Sequence, residues 1–129
     1  MTWSLSDGRT FAVDIETREQ LLEKLEGLND IMTNTVVGLD DFNGPSFLVG
    51  LGGEVGYINY KPKGNGPPYY SSVNTAIDAK DEGYICFEFG GAESNIPSRN
   101  LLPFETILDA LTTFFETGKF PDGLHWEQD

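Results

Sequence analysis

The stretch from Asn100 to Asp129 constrains this chain more than any other. Leu101 and Leu102 lead into Pro103, a residue suited to the first turn of a helix, where a backbone N–H has no helical partner to lose. Apolar residues then recur at Phe104, Ile107, Leu108, Leu111, Phe114 and Phe115, the spacing of one helix face. Gly118 stands where a left-handed cap is expected, and Pro121 blocks continuation. Leu124 and Trp126 alternate with His125 and Glu127, which predicts a closing strand with its apolar side inward. The same alternation turns His125 outward and assigns Trp126 to the core beneath the helix.

The rest of the chain supplies the layer for that helix to pack on. Trp3–Leu5 and Arg9–Ile15 flank the turn Ser6-Asp7-Gly8 and read as a hairpin. Thr17 and Gln20 form a capping box ahead of Leu21, Leu22, Leu25 and Leu28, a second helix with Gly27 near its stop. Strand patterns follow at Thr35–Leu39, Ser46–Leu51, Val55–Tyr60, Tyr69–Asn74 and Tyr84–Phe89. Polar or glycine-rich turns separate them, at 40–45, 52–53, 61–68 and 78–83, and 90–99 reads as a loop. Short connections imply antiparallel pairing. The expected fold is α+β: a mainly antiparallel sheet of about six to seven strands, with two helices on one face. Residues 1–129 read as one domain, since no linker or repeat interrupts them.

Charge narrows the function. The chain has 21 acidic residues against 8 Lys plus Arg, a net charge of −13. Such a surface repels phosphates and argues against direct nucleic-acid binding, while it suits a basic protein partner or serves solubility alone. The start of the chain does not look like a secretion signal, and no apolar run approaches a membrane span, so a cytoplasmic location is expected. Cys86 is the only cysteine, so no intrachain disulfide forms.

Tests for chemistry return little. The run Gly50-Leu51-Gly52-Gly53-Glu54-Val55-Gly56 lacks the spacing of a phosphate loop, and a strand pattern follows where a phosphate-binding helix should begin. It reads as a hairpin turn. Asp40, Asp41 and Asn43 resemble the opening of a calcium loop, but the required Gly and closing Glu fall at wrong offsets. One histidine cannot build a histidine-rich metal site, and no nucleophile elbow accompanies His125. Cys86 lies in an apolar strand and is expected to be a buried, inert thiol. Catalytic, cofactor-binding and metal-binding residues are therefore assigned as none.

Several pieces together resemble a known family. A helix with an aromatic pair near its end is followed by Thr-Gly-x-x-Pro at 117–121 and by Trp126 near the C-terminus. Upstream stand a glycine-rich hairpin, Phe47–Gly56 followed by Tyr57–Tyr60, and the segment Tyr70-Ser71-Ser72. In this order they resemble the Imm-type immunity proteins of bacterial polymorphic toxin systems, and within them the first-numbered family. The resemblance covers roughly the C-terminal two-thirds of the chain. It implies a non-enzymatic protein that binds and blocks a cognate toxin domain, a nucleic-acid deaminase first and a nuclease second, as a monomer in a heterodimer with the toxin. Gly118, Pro121 and Trp126 carry over as fold-determining residues.

Partner-binding candidates come from predicted exposure and charge, not from the motif. They are the acidic turns and neighbouring aromatics: Asp40, Asp41, Glu54, Tyr69, Tyr70, Asp78, Asp81, Glu82 and Glu93. Two other readings share the sequence. One is an acidic adaptor or nucleic-acid mimic acting on a host protein. The other is a small hydrolase or ligand-binding domain built on the Gly50–Gly56 hairpin and carboxylates.

Overall fold

A computed structural model of the chain describes residues 2–41, 44–64, 66–78 and 80–129. The elements run β1 (Trp3–Ser6), β2 (Ala12–Ile15), α1 (Arg18–Ile31), β3 (Thr35–Asp41), β4 (Ser46–Leu51), β5 (Val55–Lys61), β6 (Tyr70–Val73), β7 (Tyr84–Phe89), β8 (Ala92–Pro97), β9 (Leu102–Pro103), α2 (Phe104–Thr117) and β10 (His125–Gln128). The central path of the sheet is β10-β6-β5-β4-β3-β1-β2, antiparallel throughout. β7 joins β3 in parallel through Thr35 and Glu88, β8 pairs with β7, and β9 pairs with the start of β5.

The α+β class, the antiparallel sheet and the two helices agree with the sequence reading, but the strands number ten among the described residues rather than six to seven. The two strands that no sequence pattern marked are β8 and β9. β8 reads Ala-Glu-Ser-Asn-Ile-Pro and its first four residues are exposed, so it carries no apolar alternation to betray it. β9 is two residues long and contains a proline. The second strand also begins later than expected. The Asp7 carboxylate accepts hydrogen bonds from the N–H groups of Arg9, Thr10 and Phe11 at 2.9, 2.7 and 3.1 Å, which wraps these residues into the turn.

Helix boundaries follow their local chemistry. Thr17 accepts from the Gln20 N–H while the Gln20 side chain accepts from the Thr17 N–H, the expected capping box. α1 runs through Gly27 and ends only at Met32, whose N–H bonds Leu28. There Asn29 fastens the helix to the β4–β5 turn, accepting from the Gly52 N–H at 2.8 Å and donating to the Gly53 carbonyl. α2 starts after Pro103, with the Phe104 N–H on the Glu54 carbonyl, and ends at Gly118 with φ +76°.

Strand alternation sorts the apolar residues into two clusters. Val37, Leu39, Phe47, Val49, Leu51 and Ile58 face the helices and meet Leu21, Leu25, Ile107, Leu111, Phe114 and Phe115. Trp126 is half-buried and packs on Tyr60 and Phe120 at 5.9 and 4.7 Å, within this layer as expected. The opposite face holds a smaller cluster of Val36, Tyr57, Phe87 and Leu101, formed where the β7–β8 hairpin crosses the sheet. Gly50 makes room for it: a Cβ there would lie 2.6 Å from the Tyr57 ring and 2.8 Å from Phe87. The hairpin leaves the β5, β6 and β10 end of that face uncovered. No helix among the described residues is long and apolar enough to cross a membrane.

Candidate functional site

The uncovered end of the sheet is a groove of about 530 Å³. Its floor comes from Leu48 on β4, Tyr57, Asn59 and Lys61 on β5, Ser71 on β6 and Glu127 on β10. Antiparallel register sets Asn59, Ser71 and Glu127 side by side in one row. Ser94, Ile96 and Pro97 of β8 form a wall, and Arg99 and Asn100 close one end.

A hydrogen-bond network fixes the polar groups. Ser72 is buried; its hydroxyl accepts from the Ile58 N–H at 3.1 Å and donates to the Asn100 carbonyl at 3.0 Å. The buried Asn100 amide donates to the Ser72 carbonyl at 2.9 Å and to Glu127 Oε1 at 2.8 Å. Arg99 meets the same Oε1 at 3.3 Å. The Asn100 amide, and after it Arg99, hold the Glu127 carboxyl below its ordinary range. Asp129 accepts from Ser71 Oγ at 2.8 Å and Asn59 Nδ2 at 2.9 Å, and its own N–H donates to the Tyr69 carbonyl. Lys61 Nζ lies 5.6 Å from the centre of the Tyr69 ring, within cation–π range. Burial pushes the Tyr57 hydroxyl up to about 12, so it stays a neutral donor.

The arrangement presents donors and acceptors fixed by one another. Cys86, expected to be buried, is exposed on the outer side of β7. The inward places on that strand belong to Ile85 and Phe87, so alternation turns Cys86 out. Partial desolvation and then the nearby Glu93 push its thiol up, which disfavours the reactive thiolate. His125 is exposed, as its predicted strand required. The calcium-loop pattern includes Asn43, outside the described residues. Among the described residues no group of three or more His, Cys, Asp or Glu could hold a metal ion.

The nine sequence-predicted contact residues do not gather in one place. Tyr69 lines the groove. Asp78, Asp81 and Glu82 are exposed on the β6–β7 connection, outside the groove lining. That connection is tied to the closed end of the groove through Asn74 N–H to the Arg99 carbonyl at 2.7 Å and Ser98 N–H to the Gly83 carbonyl at 2.9 Å. Asp40 is exposed on the same sheet face, in a row with Ser46 and Lys61, and Asp41 is half-buried beside it in the chain. Glu54 lies at the other end of the sheet, where α2 begins. Tyr70 points toward the helix side, 6.3 Å from the Tyr60 ring. Glu93 is exposed on β8, opposite Glu88.

Asn59, Ser71, Arg99, Asn100, Glu127 and Asp129 escaped sequence reasoning. One signal was present: the alternation that placed Trp126 inward also turned Glu127 to the opposite face. Arg99 and Asn100 gave none, because their partners are 28 and 27 residues away in the chain.

The family model for immunity protein Imm1 matches residues 12–128, nearly the whole chain. No curated protein matches the chain. The protein belongs to the Imm1 immunity-protein family.

Proposed function

From that membership we propose that the protein binds and neutralises a cognate bacterial toxin domain, without chemistry of its own. The toxin acts on nucleic acid, a cytosine deaminase first and a nuclease second. The family match across residues 12–128 is the single observation that carries the immunity reading. The acidic charge of the chain fits that class of toxin. An enzyme that grips nucleic acid needs a basic surface, and a deaminase also needs an open pocket for the extruded base. A chain of net charge −13 is steered onto such a surface and competes there with phosphates.

The contact surface is the open sheet face: the groove, Tyr69 on its lining, and the adjacent acidic turn of Asp78, Asp81 and Glu82. The turn supplies long-range attraction, and the groove supplies short-range fit. The outcome is a one-to-one complex in which the toxin's substrate surface or active site is covered. Co-expression with the toxin domain encoded beside it tests this. A complex that survives purification, with deamination or cleavage abolished, is expected. A toxin that stays fully active in the presence of excess protein rules the reading out.

A further inference from the structure

β7 and β8 are joined by Gly90 and Gly91 alone, both with positive φ, +59° and +91°. A two-residue turn of this kind makes its flanking pair, Phe89 and Ala92, a hydrogen-bonded pair. Antiparallel pairs then alternate. Phe87 with Ser94 and Ile85 with Ile96 exchange bonds, while Glu88 with Glu93, Cys86 with Asn95 and Tyr84 with Pro97 do not. Two details agree. The Glu88 N–H is directed away from β8, to the Asn34 carbonyl at 3.0 Å. Pro97, which has no N–H, falls on a pair that needs none. Glu93 and Asn95 therefore turn their main-chain N–H and C=O outward, on the edge away from β7.

That edge has no strand partner among the described residues. It also borders the groove, since β8 contributes Ser94, Ile96 and Pro97 to the lining and β7 contributes nothing. The charges inside decide what fits. Lys61 and Arg99 are balanced by Glu127 and Asp129, two cations against two carboxylates, so the groove is neutral on a chain of net charge −13. A neutral lining of fixed donors and acceptors complements peptide amides rather than a charged guest.

We propose that the groove receives an extended segment of the toxin, which adds to β8 as a further strand through the main chain of Glu93 and Asn95. The inference rests on the immunity reading and deepens it. Main-chain bonds to the edge supply affinity, as in other strand-addition complexes, and the floor of Asn59, Ser71 and Tyr57 reads alternate side chains of the guest. Pro97 ends the ladder and limits the segment to a short stretch.

The test compares two substitutions at one position, using the full chain and its cognate toxin domain. Asn95→Ala keeps the N–H and should leave Kd within about twofold. Asn95→Pro removes it and should raise Kd about tenfold or more, with little change in thermal unfolding, because this N–H is not part of the β7 ladder. Should Asn95→Pro unfold, amide exchange in the wild-type complex decides: the Glu93 and Asn95 amides become protected on binding. Wild-type binding together with unprotected Glu93 and Asn95 amides overturns strand addition and leaves the immunity reading standing. No binding by the wild type refutes the immunity reading itself.

Discussion

On the helix side of the sheet, Phe47 sits among the rings of Trp3, Tyr60, Phe114 and Phe120 at 5.2 to 6.0 Å. On the other side, two strands away from it, Ser71 holds the Asp129 carboxylate at 2.8 Å beside a salt-bridged Glu127. One face is packed with apolar rings and closed by two helices. The other is half covered by a hairpin and ends in a fixed polar groove. Apolar packing is concentrated on the first face, and the second, whose polar groups are already held by hydrogen bonds, is the one proposed above to meet the partner.

Substitutions can break this division or sharpen it. Phe47→Ala should cause the largest loss, about 3–5 kcal/mol, because a nearly inaccessible ring is replaced by a cavity between sheet and helices. Denaturant unfolding measures it, and a loss below about 1 kcal/mol would mean that the helix-side core is not the main source of stability. Gly50→Ala acts on the opposite face. Its Cβ would strike Tyr57 and Phe87, so about 1–3 kcal/mol of overpacking is expected. Amide exchange should then rise in β7 and β8 while α1 and α2 keep their protection; equal loosening everywhere would show that the two faces are one cooperative unit.

Glu127→Gln probes the groove more gently, with an expected cost within about 1 kcal/mol at neutral pH for a partly exposed ion pair. Its signature is the pH dependence. A carboxyl held below its ordinary value of 4.5 favours the folded state above that pH, and its contribution fades as pH falls through the lowered value. The wild type should therefore lose stability more steeply below about 4.5 than Glu127→Gln. Asp7, lowered by Thr10 and the turn N–H groups, keeps its own slope in both. Parallel curves would remove Glu127 from the network. A similarly small effect on folding, about 1 kcal/mol, is expected from Asp78, Asp81 and Glu82 changed together to Lys, since Asp78 and Asp81 each accept a turn N–H, from Lys80 and Gly83. That variant should associate with the toxin more slowly and with a weaker salt dependence. An unchanged association rate would separate the acidic turn from the contact face.

The helix-side layer was legible because it obeys local periodicity. The Phe104–Phe115 spacing, the Thr17–Gln20 box and the Gly118 cap each announce themselves within a few residues. The groove was not legible, for two physical reasons. Its wall is β8, a polar edge strand with no buried side to leave a pattern. Its network joins residues far apart in the chain, Asn59 and Ser71 with Asp129, and Asn100 with Glu127. Cys86 shows the same limit, since an apolar strand in sequence became one wing of a hairpin with an exposed outer side. Tyr69 and Tyr70, both named as contact candidates, part company for the reason that alternation dictates: one lines the groove and the other faces the helix-side rings.

Amide hydrogen exchange across the whole chain, free and with the cognate toxin domain bound, tests the division of faces most directly. Protection should appear on β8, on β6 and β10 around Ser71 and Glu127, and on the 78–83 turn, with α1 and α2 unchanged. Protection confined to the two helices, with the groove still exchanging freely, would contradict it.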